Sequence, residues 1–254
     1  MNKLTNQLKE QISKLDSIEE RLEILKDKYA GKTAVILATG PTLNDHNHEE
    51  LRNIFSKRDD LVIMPIKHSY SVTQDTSDFH IQNLWSMDRK NPTKYKKEEN
   101  VICFFNVAKS YQEEHLNIIS NNNHPCDIWV PCLNPPYITD KDTIQATGNF
   151  DLFWMLGNET QTIWGKSILY SSAIPLSLHI GCRNIITIGW DLGTGKHFYP
   201  KEYGDVDIKY TEEAISTTPQ LYEWCKNNNI NLKILSKSNP ADSRIERLKT
   251  IQDI

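Results

Sequence analysis

The sequence has none of the features that mark a membrane, secreted or nucleic-acid-binding chain. No apolar stretch approaches the roughly 20 residues of a membrane span. The opening "MNKLTNQLKEQ" has no apolar signal-peptide core, so a cytoplasmic protein is expected. Positive charge is not in excess: 29 Lys and Arg stand against 33 Asp and Glu, a net charge of -4. That balance gives no hint of a nucleic-acid partner, and the small run Lys94, Lys96, Lys97 reads as a solvated loop. The five cysteines, Cys103, Cys126, Cys132, Cys182 and Cys225, are odd in number and contain no C-x-x-C pair. A disulfide framework or zinc site is not expected; buried free thiols are. No internal repeat or low-complexity tract occurs. The Walker A pattern G-x-x-x-x-G-K-S/T and the dinucleotide fingerprint G-x-G-x-x-G are both missing, and "GTGKH" at Gly193–His197 lacks the upstream glycine of the former.

What is present divides at Gly31. Before it, Leu4, Leu8, Ile12, Leu15, Ile18, Leu22 and Leu25 recur at spacings of three and four, one apolar helical stripe. Ser17 with Glu20 forms a capping-box pattern, which allows two helices in place of one. The stripe reads as helix packed on its own domain; a short coiled coil forming a homo-oligomer is the alternative. After Gly31, short β-rich runs alternate with helical segments. The strands expected are Ala34–Ala38, Leu61–Ile66, Phe79–Leu84, Val101–Phe105, Ile128–Val130, Ile185–Ile188 and Leu232–Leu235. The helices expected are Glu49–Ser56, Ser110–Ser120, Phe150–Leu156, Ser172–Ile180, Thr211–Asn227 and Asp242–Ile251. This alternation predicts a Rossmann-like α/β fold, a doubly wound and mostly parallel sheet, over residues 31–254, with an N-terminal helical extension over 1–30. Runs such as "VILA" and "NIITIG" are apolar throughout, as strands covered on both faces are. The stretch at about 121–165, rich in Asn, Pro and aromatics, reads as an irregular insertion.

Ligands of open α/β sheets collect at the carboxyl ends of the strands, so the residues that follow each strand are the candidates. "ATGPTLND" follows the first. Gly40 lets backbone pass close to a ligand, Pro41 fixes the turn, and the amides beyond, Thr42 included, suit a phosphate. An ordinary strand-to-helix turn is the competing reading. Lys67, His68 and Ser69 follow the second strand. Gln82, Asn83, Trp85 and Asp88 mark the end of the third. The densest cluster is late: a helix opened by Ser171 and Ser172, then a strand ending in Gly189-Trp190-Asp191, then Lys196, His197 and Tyr199. His197 could take a proton near neutral pH, and Lys196 and Tyr199 could stabilise a departing phosphate. The plain alternative makes Asp191 a loop cap and His197 a surface residue. Asp205-Val206-Asp207 is like a metal-holding D-x-D element but follows no apolar strand, and His46-Asn47-His48 has no evident third ligand, so no metal is expected at either.

"AVILATGPTLND" and "SSAIPLSLHIGCRNIITIGWDLG" together resemble the two glycine signatures shared by the bacterial sialyltransferases that use CMP-sialic acid and by the motility accessory factor family, itself allied to hydroxymethylpterin pyrophosphokinase-like proteins. "TSDFHIQNLWSMD" and "YEWCKNNNINLKILSKSNP" are similar to further segments of the accessory factor group, in the same order. The resemblance implies that Gly40, Pro41 and Thr42 lie against a nucleotide, that Lys67 or His68 and Asn83 contact phosphate or sugar, that Ser171 and Ser172 face the nucleotide, and that Asp191 closes the site. Two departures stand out. Ala38-Thr39 replaces the Gly-Asn of the sialyltransferases. Their general-base histidine belongs roughly where Asp207 to Thr211 fall, and no histidine is there, so His197 would have to serve.

The function expected is that of a cytoplasmic, sialyltransferase-like glycosyltransferase. Its donor would be a nucleotide sugar, a CMP-linked nonulosonate, and its acceptor a glycan or small molecule. Transfer would invert configuration and need no cofactor or metal. Two alternatives stay open. One is a pyrophosphokinase-like phosphotransferase using ATP and magnesium, with Asp88, Asp191 and Asp207 as metal candidates. The other is a non-catalytic nucleotide-sugar-binding protein, which the missing histidine favours.

Overall fold

The computed structural model describes residues 3–83, 100–108, 112–121, 126–132, 169–192, 212, 215–236 and 239–254. Strands β1 (Thr33–Leu37), β2 (Leu61–Pro65), β6 (Asn184–Ile188), β7 (Asn231–Leu235) and the two-residue β8 (Glu246–Arg247) form one parallel sheet in the order β2-β1-β6-β7-β8. Strands β3 (Phe79–Asn83), β4 (Ile102–Ala108) and β5 (Ile128–Cys132) form a second parallel set in that order. The two sets adjoin: the Asp78 N–H donates to the Ile63 carbonyl at 2.9 Å, and Ile66 pairs with Ile81 in a parallel bridge. The order across the molecule is therefore β5-β4-β3-β2-β1-β6-β7-β8. The chain winds outward in one direction from β1, returns, and winds outward in the other from β6. That is a doubly wound Rossmann-like fold, with its topological switch point between β1 and β6.

Alternation along the strands divides the core into two layers. Ala34, Ile36, Val62, Met64, Ile81, Phe104 and Ile234 enter the layer covered by the N-terminal helices. Val35, Leu37, Ile63, Ile186, Ile188 and Leu235 enter the opposite layer with Leu51 and Phe55 of α3 (His48–Lys57). Because neither face meets water, β1, β2 and β6 have no polar alternation and were readable as short apolar runs, whereas in β3 the buried His80 and Gln82 alternate with Phe79 and Ile81.

The apolar stripe before Gly31 forms two helices, α1 (Lys3–Ile12) and α2 (Ile18–Leu25). They divide where Ser17 caps α2, its side chain accepting from the Glu20 N–H at 3.1 Å. Leu8, Ile12, Leu22 and Leu25 are buried in the chain's own core. The stripe is used internally, as the first of the two readings had it, and those four residues are not a seam for a second copy. Polar groups pin the helices down as well. The Lys9 ammonium donates to the Asp127 carboxylate at 2.9 Å, and Arg21 donates to the Asp127 carbonyl at 2.8 Å. Thr5 donates to the Asp78 carboxylate while accepting from the Tyr29 hydroxyl.

Three expectations are corrected. The helix expected over Asp242–Ile251 is an irregular stretch holding β8 and a 3-10 turn, Ile251–Asp253. Asn239 and Asp242 turn the chain by accepting from the Ala241 and Arg244 N–H groups, which competes with helix. Ile245, Leu248 and Ile251, spaced like a helical face, are instead buried as the chain crosses the sheet edge. Second, the strand expected at Ile128–Val130 runs on to Cys132 as β5, inside the stretch at about 121–165 read as an irregular insertion. Third, the helix expected from Ser172 opens with a wider π turn, Leu169–Ala173, before the α-helix Ile174–His179, whose Pro175 brings no N–H. The expected helix Phe150–Leu156 lies outside the described residues. Cys103, Cys126, Cys182 and Cys225 are free thiols. Burial pushes Cys126, Cys182 and Cys225 up to about 12, so they are unreactive near neutral pH. Among the described residues, no helix is long and apolar enough to cross a membrane.

Candidate functional site

The turn after β1 and the turn after β6 meet at the switch point. Backbone bonds continue past the strands: the Ala38 N–H donates to the Ile188 carbonyl and the Gly40 N–H to the Gly189 carbonyl, each at 2.8 Å. A Cβ on Gly40 would overlap both the Asp191 carboxylate and the Gly189 carbonyl oxygen. Gly189 holds φ +69°, and a Cβ there would lie 2.9 Å from the Ala38 carbonyl oxygen. Both glycines are thus required by the chain's own close packing. The space that a Cβ on Gly40 would need is filled by Gly189 and Asp191.

Pro41 opens a five-residue 3-10 turn, Pro41–Asp45, and the longer helix α3 begins only after Asn47 caps it. The Thr42 N–H donates to one oxygen of Asp191 at 2.8 Å and its hydroxyl to the other at 2.5 Å. The Ser236 hydroxyl, just past β7, donates to Asp191 at 3.3 Å, and the Asn239 amide donates to the Trp190 carbonyl. Asp191 is 4% exposed. It therefore holds together the segments that leave β1, β6 and β7. The Thr42 amide, expected to serve a phosphate, already serves this carboxylate.

A second group of polar residues sits at the ends of β2, β3 and β4. Ser69 is fully buried and donates to the Leu37 carbonyl at 2.7 Å, tying the β2 turn to the end of β1. Lys67 adopts φ +52°. His68 is half-buried, and its imidazole is held below the usual histidine range by burial and then by the neighbouring Lys67 charge. His80 and Gln82, alternate residues of β3, are both buried. The Gln82 amide lies 3.2 Å from His80 Nδ1, and His80 Nε2 lies 2.9 Å from the Lys67 carbonyl, so Nδ1 accepts and Nε2 donates. On the other face of the sheet, the Asn106 amide donates to the Ser172 hydroxyl at 2.6 Å. Asn106 is the register partner of Asn83. Ser171 shares the π turn with Ser172.

The candidates that fall in the described region therefore collect along one rim, at the carboxyl ends of neighbouring strands. The chain also has a likeness among solved structures. It is similar to the sialyltransferase CstII from Campylobacter jejuni, solved in complex with a substrate analogue, cytidine-5'-monophosphate, with a TM-score of 0.45 and 11% identity over 83% of this chain and 82% of that one. No family model matches the chain, and no curated protein matches it.

Lys196, His197 and Tyr199, with Trp85, Asp88, Asp205 and Asp207, lie outside the described residues. Among the described residues no group of three His, Cys, Asp or Glu is placed to hold a metal ion; in the His46-Asn47-His48 pair, His48 Nε2 is bonded to the Leu43 carbonyl at 3.2 Å. Sequence reasoning missed Asn106 and His80. Asn106 was lost because β4 was expected to stop at Phe105, whereas it runs to Ala108. An Asn directly after "CFF" was the available signal. His80 lay inside a strand, where a lone polar residue reads as solvent-facing.

Proposed function

We propose that the protein is a glycosyltransferase-like enzyme that binds a nucleotide-activated sugar, a CMP-linked nonulosonate, at the carboxyl rim of its sheet. The observation that carries this reading is the locking of the Gly40 turn onto the Gly189–Asp191 turn at the switch point, where ligands of doubly wound sheets bind. Chain continuity supports the rest, since Lys196, His197 and Tyr199 follow within eight residues of Asp191. In this reading the acceptor hydroxyl attacks the anomeric carbon opposite the departing phosphate, and configuration inverts. His197 accepts the hydroxyl proton, while Lys196 and Tyr199 meet the charge that develops on the leaving CMP. Lys67 or His68, Asn83, Ser171 and Ser172 bind the nucleotide or sugar. Asp191 closes the site by holding Thr42 and Ser236 in place. No metal is needed where those groups carry the charge.

The pyrophosphokinase-like reading asks Asp191 to bind magnesium, and its oxygens already accept from Thr42 and Ser236. The non-catalytic reading is favoured by the absence of histidine between Asp207 and Thr211. Thermal shifts with CMP, UDP and ATP, each with and without magnesium, separate the three. A shift with CMP that ignores magnesium supports the proposal. A magnesium-dependent ATP shift replaces it with the phosphotransferase. A CMP shift without turnover of any CMP-sugar leaves a binding protein. His197→Ala is expected to abolish turnover and spare CMP binding; full activity in that variant removes His197 from the mechanism.

A further inference from the structure

Lys67 is a lysine in the left-handed region, where a side chain normally avoids the backbone. Such a conformation persists only when its surroundings hold it, and backbone outliers of this kind cluster at functional sites. The surroundings are specific. His80, fully buried, donates from Nε2 to the Lys67 carbonyl at 2.9 Å. Gln82 fixes which nitrogen carries that proton by donating to Nδ1. The Tyr70 ring stacks on the His80 ring, with centroids 4.5 Å apart and planes 15° from parallel. Ser69 fastens the same turn to the end of β1. The polar chain running Gln82, His80, Lys67 ties the turn after β2 to the buried strand β3 and fixes its conformation.

We propose that His80 is a positioning residue. It holds the backbone of Lys67 in the turn after β2, beside β1, and so sets the position from which this lysine anchors an anionic oxygen of the ligand. The inference rests on the nucleotide-sugar reading and deepens it. The anion could be the nucleotide phosphate or the carboxylate of a nonulosonate sugar. Both present an oxygen anion, and different probes tell them apart.

The test uses calorimetric titration of the full chain with cytidine, CMP and CMP-sialic acid. His80→Phe keeps a ring for Tyr70 but loses the donor, and is expected to weaken CMP about tenfold while leaving cytidine unchanged. His80→Gln restores a donor and is expected to recover most of the loss. Lys67→Gly makes the left-handed turn easy, so it should lose the same factor for CMP yet melt about 2–4 °C higher. That pairing of a more stable protein with a weaker ligand is not produced by a merely structural lysine. If CMP is unaffected and only CMP-sialic acid is weakened, the anchored oxygen is the sugar carboxylate. If the wild-type protein binds CMP and both His80→Phe and Lys67→Gly match it for every probe, the positioning role is wrong while the nucleotide reading stands. If the wild-type protein binds none of CMP, UDP and ATP, the nucleotide reading falls and the anchor falls with it.

Discussion

The two rims of the sheet both bury polar side chains, yet they use them differently. At the amino rim, carboxylates finish the sheet's own hydrogen bonds. Asp78 accepts from the Ile63 N–H at 2.9 Å and Asp127 from the Cys103 N–H at 2.7 Å. Each also receives a group from α1, Thr5 or Lys9. The Tyr29 phenol there is pushed well up by burial and the nearby Asp78 charge, so it stays a neutral donor. At the carboxyl rim, buried polar groups hold turns in conformations that regular structure would not select: Gly189 and Lys67 at positive φ, Thr42 on Asp191. Positive φ is not confined to that rim, since Asp27, Gly31, Gly181 and Asn229 adopt it in the turns that lead into β1, β6 and β7. The difference lies in what the buried side chains bind: strand amides at the amino rim, and the turns themselves at the carboxyl rim.

The contrast can be broken most forcefully at the amino rim. Asp78→Ala strands the Ile63 N–H in the core and leaves the Thr5 hydroxyl with Tyr29 alone, and should cost roughly 3 kcal/mol in urea unfolding. Nucleotide affinity of the folded fraction should not change; a selective loss of affinity would abolish the distinction between the rims. At the carboxyl rim, Gly40→Ala drives a methyl into Asp191 and Gly189, and should cost about 2 kcal/mol together with ligand binding. Retention of both in a melting and titration pair would show that the two turns do not need their close approach. Asp191→Asn offers an N–H where the Thr42 amide or hydroxyl needs an acceptor. It should cost about 1–2 kcal/mol, with a larger fall in turnover than in stability. The smallest effect is in pH. The His68 imidazole is held below its ordinary value, so the folded state prefers it neutral. The stability this contributes is complete above the unfolded value, about 6.5, and is lost as pH falls toward the folded value. Melting temperature should therefore drop slightly below that pH, and His68→Gln should flatten the drop.

Strands were legible because burial on both faces leaves a local mark: "AVIL", "LVIM" and "NIITI" need no partner to be recognised. The Ser17 cap was legible for the same reason, since its bond spans three residues. What escaped depends on distant residues. Gly40 was read as room for a ligand, because nothing near it in sequence reveals that Asp191, far along the chain, fills that room. Ile245, Leu248 and Ile251 imitate a helical face, and only the edge of β7 explains their spacing. Asn106 and His80 meet Ser172 and Lys67 only through the packing of distant segments, which no single segment encodes.

The attachment of the first two helices has an effect on how the protein is made. Thr5 and Lys9 leave the ribosome before their carboxylate partners, which lie 73 and 118 residues later. Until Asp127 has emerged, an amphipathic N-terminus with exposed leucines has no completed surface to close on. A nascent chain stalled before that point would be a ready client for chaperones, and a shortened version ending there would precipitate when it is expressed.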